Sequence, residues 1–372
     1  MVDVLRPDWA RRLARLEQSC STLGLQAIVI SSPVNLRYLT GFTGSSGLLI
    51  TAPGAPATLI TDGRYDALVR SRMAAGDLAT VDVRRVETRY DLTLARCLSE
   101  RGVGRAGFEA GHITVTGLHR WQTHVPGVDW VATEDLVELQ RVKKDEVELA
   151  SLRRGGRLLS EVAGELRRWL AAGRPELEVA RDVDRAIERA GFERPAFETI
   201  VAGGPNSAYP HARPTDRRLR AGDLVVLDFG GVLDGYCVDL TRMAGIGQIA
   251  SGTDSLYWAV RDAQAAAMGA VRAGVRGSAV DRAARDVLEA RGLGAAFLHG
   301  TGHGLGLEVH EAPRLARADT GALDVLEAGM VCTIEPGAYV PGVGGVRLED
   351  DVLVTLDGSE ALSNAPLDLI RA

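Results

Sequence analysis

Four apolar segments in the C-terminal part of this chain are each interrupted by an acidic or imidazole side chain. The interrupting residues are Asp228, Asp239, His303, Glu335 and Glu349. An unpaired carboxylate buried in an apolar strand is costly, so the pattern predicts that these groups share a counter-charge. Four carboxylates and one imidazole suit a pair of divalent ions such as Mn²⁺, Fe²⁺, Co²⁺ or Zn²⁺. Because two such ions activate a water held between them, the pattern favours a metal-dependent hydrolase.

The first acidic pair is predicted to lie on one face of a β hairpin. Asp234-Gly235 is a strong signal for a two-residue turn between the strand segments VVLDFG and YCVDLTR. With the turn centred there, Asp228 faces Thr241, and Asp228 and Asp239 are diagonal neighbours. A register shift of one residue would put the two acids on opposite faces.

A second acidic pair is predicted in the same way. Glu335 lies in VCTIEPGAYV and Glu349 in VRLEDDVLV, and a loop centred near Gly342 sets the two glutamates roughly opposite each other. Arg347 shares the parity of Glu349, so we expect it to pair with a carboxylate and support the metal ligands. Asp351 shares that face but lies further along the strand.

Histidines are concentrated beside these acids. Of the seven in the chain, His299, His303 and His310 lie in the segment HGTGHGLGLEVHE. One imidazole is sufficient as a metal ligand, and the others can polarise a carbonyl or stabilise an oxyanion. His211, in the proline-rich segment GGPNSAYPHARP, is a fourth candidate.

The chain is predicted to form two domains. Strand and helix patterns alternate over residues 1–139, which indicates an α/β layer with a mixed sheet. A charge-rich segment at 143–146 then leads into a long predicted helix over 145–171. The remaining part has short strands, glycine-rich turns and further helices, which is typical of an α+β domain. We therefore expect an N-terminal domain at 1–139 and a C-terminal domain at 140–372.

Composition excludes several function classes. The formal net charge of -6 gives no basic surface for nucleic acid. Lysine occurs only at positions 143 and 144, so no P-loop lysine is present elsewhere. No segment approaches the roughly 18 apolar residues of a membrane span, and no signal peptide is evident. The four cysteines show no CxxC pair, which favours reduced thiols in a cytoplasmic protein.

In these motifs the chain resembles the pita-bread metallopeptidases, and among them the Xaa-Pro aminopeptidase (aminopeptidase P) and Xaa-Pro dipeptidase (prolidase) branch. The motifs that carry the resemblance are LDFG, VDLTR, GHGLGLEVHE, IEPG and VRLED. The segments PNSAYPHARP and EPGAYVPGVGGVRLED favour this branch over methionine aminopeptidase. The first half, with NLRYLTGFTGSSG and TDGRY, resembles the creatinase-type N-terminal domain. The resemblance implies an α+β fold in which a creatinase-like α/β domain precedes a pita-bread catalytic domain.

The resemblance also implies a ligand set. Asp228 binds one ion, Asp239 and Glu349 are shared between two ions, and His303 and Glu335 complete the coordination. Glu335 in addition relays a proton from the bridging water. Manganese is the preferred metal, with cobalt, zinc or iron as alternatives. Creatinase shares the fold but lacks this set of metal ligands. All five ligands are present here, which argues against the interpretation that the chain is a creatinase.

Further roles around the metals follow from the same resemblance. His211 and His310 are expected to be catalytic residues that contact the scissile carbonyl, while His299 lines the pocket for the proline ring. The expected substrate-binding residues are His299, Arg314, Tyr339 and Arg347. Arg314, in HEAPR, either holds the free carboxylate of a substrate or is structural.

The activity expected from the resemblance is that of an Xaa-Pro aminopeptidase, which hydrolyses the Xaa-Pro bond at the N-terminus of peptides through a metal-bridging water or hydroxide. Such a bond is a tertiary amide without N–H, so a site shaped for the pyrrolidine ring is needed to accept it. The FTGSSG segment favours this activity. The alternatives are an Xaa-Pro dipeptidase restricted to dipeptides and a non-catalytic pita-bread binding protein. Relatives suggest a homodimer that takes a proline-containing peptide.

Overall fold

The structure, a computed structural model, describes residues 6–249, 251–318 and 325–372. Two compact units divide after Arg141. Among the described residues, no helix is long and apolar enough to cross a membrane.

The N-terminal unit is built around a six-stranded mixed sheet. The strand order is β4-β3-β2-β1-β5-β6, and β1 pairs antiparallel to β2 but parallel to β5, as the alternating pattern predicts. Its strands are β1 (Ala27–Ile30), β2 (Leu48–Ala52), β3 (Ala55–Thr61), β4 (Asp82–Arg85), β5 (Arg105–Glu109) and β6 (Asp129–Thr133). Its helices are α1 (Trp9–Thr22), α2 (Pro33–Thr40), α3 (Asp66–Ala74), α4 (Tyr90–Glu100), α5 (Val115–His124) and α6 (Glu138–Arg141).

Strand β6 and helix α6 lie at the end of the stretch over which strand and helix patterns are predicted to alternate, and neither has a strong sequence signal of its own. β6 is the last strand of its sheet, and only Thr133 of its five residues is buried, so it lacks the continuous apolar run of an inner strand. Helix α6 has only four residues, which is too short for a pattern of 3.6 residues to repeat.

In the C-terminal unit, the described residues form four α-helices and three β-sheets. The helices are α7 (Glu146–Glu165), α8 (Glu176–Arg189), α9 (Ser251–Ala270) and α10 (Gly277–Ala290). The strands are β7 (Arg194–Pro195), β8 (Ile200–Gly203), β9 (Leu224–Leu233), β10 (Tyr236–Gly245), β11 (Gly302–Gly304), β12 (Glu311–Leu315), β13 (Val331–Ile334), β14 (Gly337–Val340), β15 (Gly344–Arg347), β16 (Asp350–Val354), β17 (Ser359–Ala361) and β18 (Ile370–Arg371). One sheet has the order β18-β10-β9-β7 with β8 also on β9, a second has the order β12-β11-β13-β16-β17, and β14 pairs with β15.

Helix α7 starts as predicted but ends earlier. At its start, the Asp145 carboxylate accepts from the backbone N–H groups of Val147 and Glu148, and the Glu148 side chain accepts from the Asp145 N–H. This capping box satisfies amides that have no partner within the helix. The helix ends at Glu165 and a single 3-10 turn follows over 166–168, so the predicted extension to residue 171 is wrong. Tight turns of this kind are frequent at helix C-termini.

The β9–β10 hairpin has the predicted turn and register. Asp234 and Gly235 have φ values of 52° and 82°, as a two-residue turn of this type requires. Asp228 pairs with Thr241, and Asp239 pairs with Gly230, two positions closer to the turn. Both acids therefore lie on one face of the hairpin, which confirms the predicted parity.

Helices cover the other face of each acid-bearing hairpin. Leu152 and Leu159 of α7 belong to the same core as Phe229 of β9, whose parity is opposite to that of Asp228. Helices α9 and α10 share a core with Val346 and Leu348, whose parity is opposite to that of Glu349. Asp228 and Asp239 therefore face away from α7, and Glu349 faces away from α9 and α10.

Candidate metal centre

The five predicted ligands line a single cleft of about 480 Å³. Asp228 lies on β9, Asp239 on β10 and His303 on β11, while Glu335 directly follows β13 and Glu349 directly precedes β16. The structure thus brings together residues that are up to 121 positions apart in the chain.

Three of the five come close enough to hold one ion. Asp239, His303 and Glu349 each offer a ligand atom, and these atoms lie within 4.8 Å of one another. Nε2 of His303 is 3.2 Å from Oε1 of Glu335, so the fourth residue adjoins this group. Asp228 completes the set from the opposite strand of its hairpin and is bound by Arg347.

The second acidic pair has the predicted arrangement. Gly337 pairs with Arg347 in one ladder and Ile334 pairs with Asp350 in the next. Both ladders have the same register, so Glu335, which lies between them in the chain, faces Glu349. This confirms the expectation drawn from the loop near Gly342.

Burial and mutual repulsion dominate the electrostatics. Burial raises the pKa of Asp239 well above its ordinary value, and the charges of Glu349 and Asp228 raise it further. Burial likewise raises the pKa of Glu349, and the charges of Glu335 and Asp228 add to this effect. Carboxylates crowded in this way need bound cations in order to ionise together.

The donor set fits such cations. The Oδ1 atoms of Asp228 and Asp239 are buried and have no hydrogen-bond partner among the described residues. A buried acceptor without a partner is unfavourable unless a ligand satisfies it. Carboxylate oxygens together with one imidazole nitrogen are a ligand mixture suited to divalent transition metals.

His303 and Glu335 form a pair of opposite charge, and the pKa of Glu335 is lowered, whereas the pKa values of the crowded acids are raised. Although burial opposes ionisation, the hydrogen bond from His303 and its charge lower the pKa of Glu335 to about 2. The pKa of His303 is raised by that bond and by the Glu335 charge, in spite of burial. Because an imidazole binds metal through an unprotonated nitrogen, metal binding at His303 requires release of this proton.

Two further residues, which sequence reasoning did not assign to the site, hold the ligands in place. Oδ2 of Asp351 accepts a 2.9 Å hydrogen bond from the backbone N–H of Asp239, and burial raises the pKa of Asp351 to about 8. Oγ1 of Thr241 donates to Glu349 and accepts a 3.2 Å hydrogen bond from Nε of Arg347. The only sequence signal for Thr241 is its position opposite Asp228.

Most of the other predicted residues line the same cleft. His299, Arg314 and Arg347 do so, as do His211 and His310. The ring centroids of His310 and His303 are 4.3 Å apart, and burial followed by the His303 charge lowers the pKa of His310.

Tyr339 does not line the cleft but lies behind residues that do. It is only 3% exposed, and its hydroxyl accepts a 2.8 Å hydrogen bond from Nη1 of Arg347 and lies 2.9 Å from Nε2 of His299. Burial lowers the pKa of His299, which favours the neutral form of this ring. Tyr339 therefore aligns two residues that line the cleft.

The arginines of the cleft differ in their pairing. Arg347 binds Asp228, and Arg213 forms a 3.1 Å ion pair with Glu198. Arg314 is exposed and has no anionic partner among the described residues. Its charge is therefore available to an anionic group of a ligand.

Comparison with protein families gives a match to each half of the chain. The model of metallopeptidase family M24 matches residues 150–356, and that of the Creatinase/Prolidase N-terminal domain matches residues 12–143.

Individual relatives resemble the chain over nearly its whole length. It is 38% identical to "Probable dipeptidase PepE" of Mycobacterium tuberculosis, covering 97% of this chain and 96% of the relative. The structure of an Xaa-Pro dipeptidase from Bacillus anthracis superposes with a TM-score of 0.93 at 31% identity, covering 98% of this chain and all of that one. An X-Pro aminopeptidase from Thermotoga maritima superposes with a TM-score of 0.86 at 29% identity, covering 95% of this chain and all of that one.

Proposed function

The chain belongs to metallopeptidase family M24 and has its pita-bread fold, as the sequence predicts, and from this premise we propose that it is an Xaa-Pro dipeptidase. The sequence favours an aminopeptidase with the dipeptidase as the alternative, and the comparisons support the alternative better. A relative named as a dipeptidase is 38% identical, and the Xaa-Pro dipeptidase structure gives a higher TM-score than the aminopeptidase structure.

The observation in the cleft that supports a dipeptidase is Arg314. It lines the same cleft as the five ligands and its charge is unpaired among the described residues. A dipeptide presents a free carboxylate one residue beyond the scissile bond, whereas a longer peptide presents a neutral amide there. An arginine binds a carboxylate through charge-assisted hydrogen bonds, so it would select the shorter substrate.

We propose the same five residues as ligands of two divalent ions, with manganese preferred: Asp228, Asp239, His303, Glu335 and Glu349. Two bound ions would lower the pKa of a water between them and polarise the substrate carbonyl.

Side chains of the cleft would carry out the remaining steps of the hydrolysis. The Glu335 carboxylate can take the proton of the attacking water and pass it to the proline nitrogen. His310 and His211 reach the cleft, where their ring N–H groups can donate to the oxygen of the scissile carbonyl as it gains charge. His299, oriented by Tyr339, would line the pocket for the proline ring.

The substrate assignment is tested by comparing three substrates with the Mn²⁺-loaded enzyme. These are an Xaa-Pro dipeptide, the same dipeptide as its C-terminal amide, and an Xaa-Pro-Xaa tripeptide. We expect kcat/KM to be highest for the dipeptide acid. Equal or faster cleavage of the tripeptide would support the aminopeptidase instead, and no cleavage of any proline peptide would refute the peptidase.

Variants then test Arg314 itself. Arg314→Met should raise KM for the dipeptide acid and leave the dipeptide amide unaffected, because only the acid carries the carboxylate. Arg317→Met is the matched control, since Arg317 is also exposed in the same stretch but does not line the cleft. An equal effect of both variants would assign Arg314 a structural role.

The homodimer, the cytoplasmic location and a domain boundary between residues 139 and 140 also remain proposals. The dimer rests on the sequence resemblance, the cytoplasmic location on the cysteine pattern, and the boundary on the change in strand and helix pattern near residue 140. Sedimentation of the purified protein would test the dimer, because a monomer at assay concentration would contradict it.

A further inference from the structure

The segment 206–215, here called the His211 loop, carries His211 into the cleft. The His211 ring is exposed and makes no hydrogen bond to another described residue. Its position therefore depends on the backbone of the loop. Two contacts within the loop shape that backbone, since the N–H of Tyr209 donates to Asn206 and that of Ala212 donates to Tyr209.

One buried carboxylate holds both ends of the His211 loop. At the first end, Nδ2 of Asn206 donates to both carboxylate oxygens of Glu176 at 3.0 Å. At the other end, the backbone N–H and the hydroxyl of Thr215 donate to Oε2 of Glu176 at 3.1 and 2.7 Å. Oε1 also accepts from the N–H of Gly203 at 2.8 Å, just before the loop.

Glu176 is a rigid point of attachment. It is the first residue of α8 and is 0% exposed. The helix itself is fixed by Val179, Val183 and Ile187, which are fully buried in the core. Hydrogen bonds to an ionised acceptor are stronger than those between neutral groups, so the clamp holds both loop ends firmly.

The middle of the loop is held from the metal centre. Nη1 of Arg347 donates to the carbonyl oxygen of Pro210 at 3.0 Å, and the same guanidinium binds Asp228. The residue before His211 is thus tied to a proposed metal ligand, while Glu176 fixes the two loop ends.

We propose that Glu176 is a positioning residue, which sets where His211 lies relative to the scissile carbonyl. The inference rests on the proposed role of His211 in the peptidase. Glu176 does not line the cleft, so its effect on catalysis passes through the loop. A displacement of about 1 Å in a group that contacts the reacting atoms can cost roughly 100-fold in rate.

The first test is Glu176→Gln. The substitution keeps the shape of the side chain but places an NH₂ group against donors from Asn206 or Thr215. We expect kcat to fall roughly 10- to 100-fold with KM and bound Mn²⁺ nearly unchanged. Glu148→Gln is the matched control, because Glu148 is also a buried helix carboxylate that accepts a backbone N–H, and its kcat should stay normal.

The second test asks whether the effect passes through His211. If it does, the double variant His211→Ala with Glu176→Gln should be no slower than His211→Ala alone. Additive losses, or normal kcat for Glu176→Gln, would overturn the inference while the peptidase assignment stands. A normal kcat for His211→Ala would instead refute the proposed role of His211.

A third measurement separates positioning from general destabilisation. Amide hydrogen exchange at Gly203 and Thr215 should be faster in Glu176→Gln than in the parent, while α8 keeps its protection. If Glu176→Gln does not fold, Thr215→Val probes the clamp from the loop side by removing one donor. A normal kcat for a folded Thr215→Val would then count against the inference.

Discussion

Thr241 donates its hydroxyl to Oε2 of Glu349 across a 2.5 Å hydrogen bond. The two residues also form a backbone bridge, in which the N–H of Glu349 donates to the Thr241 carbonyl. Thr241 faces Asp228 within its own hairpin. This residue therefore sets the spacing between the two acidic pairs.

The first prediction concerns this hydroxyl. Thr241→Val keeps the shape of the side chain but removes the donor to Glu349, so we expect affinity for Mn²⁺ to fall roughly 10- to 100-fold. Titration calorimetry of the metal-free protein measures it. Thr199→Val is the control, because Thr199 is a buried threonine that donates to Asp184 at 2.6 Å. Equal losses in both variants would contradict the prediction.

The second prediction concerns pH and metal removal. The folded metal-free protein holds Asp239, Glu349 and Asp351 at raised pKa values, with Asp351 at about 8. Their contribution to stability is complete below the ordinary carboxyl pKa of about 4 and is lost as pH rises through the folded values. We therefore expect Tm of the metal-free protein to fall as pH rises from about 6.5 to 8, because below that range the lowered pKa values of His299 and His310 oppose the change.

The lowered pKa of Glu335 has the opposite effect on stability. Because that pKa is about 2, it changes Tm only in strong acid, outside this pH range. Bound Mn²⁺ supplies the missing positive charge, so Tm of the loaded protein should not show the fall. Differential scanning calorimetry with and without Mn²⁺ makes the comparison. In the metal-free protein, Asp351→Asn should flatten the upper part of the curve, and an unchanged curve would count against the assignment.

The hairpin registers were predictable because they follow from local rules. The turn at Asp234-Gly235 fixes which residues of β9 and β10 face each other, and strand parity then places Asp228 and Asp239 together. The same reasoning places Glu335 opposite Glu349. Side-chain direction in a strand depends only on register, so the acidic faces could be predicted from sequence.

The supporting contacts could not be predicted in this way. Glu176 reaches Asn206 and Thr215, which lie 30 and 39 positions away. Thr241 reaches Glu349 over 108 positions. Such contacts depend on how separate hairpins and helices pack against each other, and neither periodicity nor turn chemistry encodes that packing.

The third prediction uses the two lysines of the chain. Lys144 forms a 3.1 Å ion pair with Glu311, and the two side chains are only 1% and 7% exposed. Removing one partner leaves a buried charge, so Lys144→Met should lower the free energy of unfolding by about 3 kcal/mol or more. Lys143, whose pair with Glu327 is half exposed, is the adjacent control.

Lys143→Met should cost at most about 1 kcal/mol, because exposed ion pairs contribute little. Urea unfolding of both variants gives the comparison. Similar losses for the two lysines would show that burial of the Lys144 pair does not matter. Glu311 directly follows His310, so Lys144→Met should also disturb the strand that begins there.

The last prediction separates the two roles of Glu335. Glu335→Gln keeps an oxygen that can bind a metal, but an amide cannot take a proton from water. We expect kcat to fall by at least about 100-fold while the fold and much of the bound Mn²⁺ are kept. Turnover of an Xaa-Pro dipeptide and metal content per chain are measured on the same preparation. Loss of metal together with activity would mean that Glu335 acts mainly as a ligand, whereas near-normal turnover would exclude it as the proton relay.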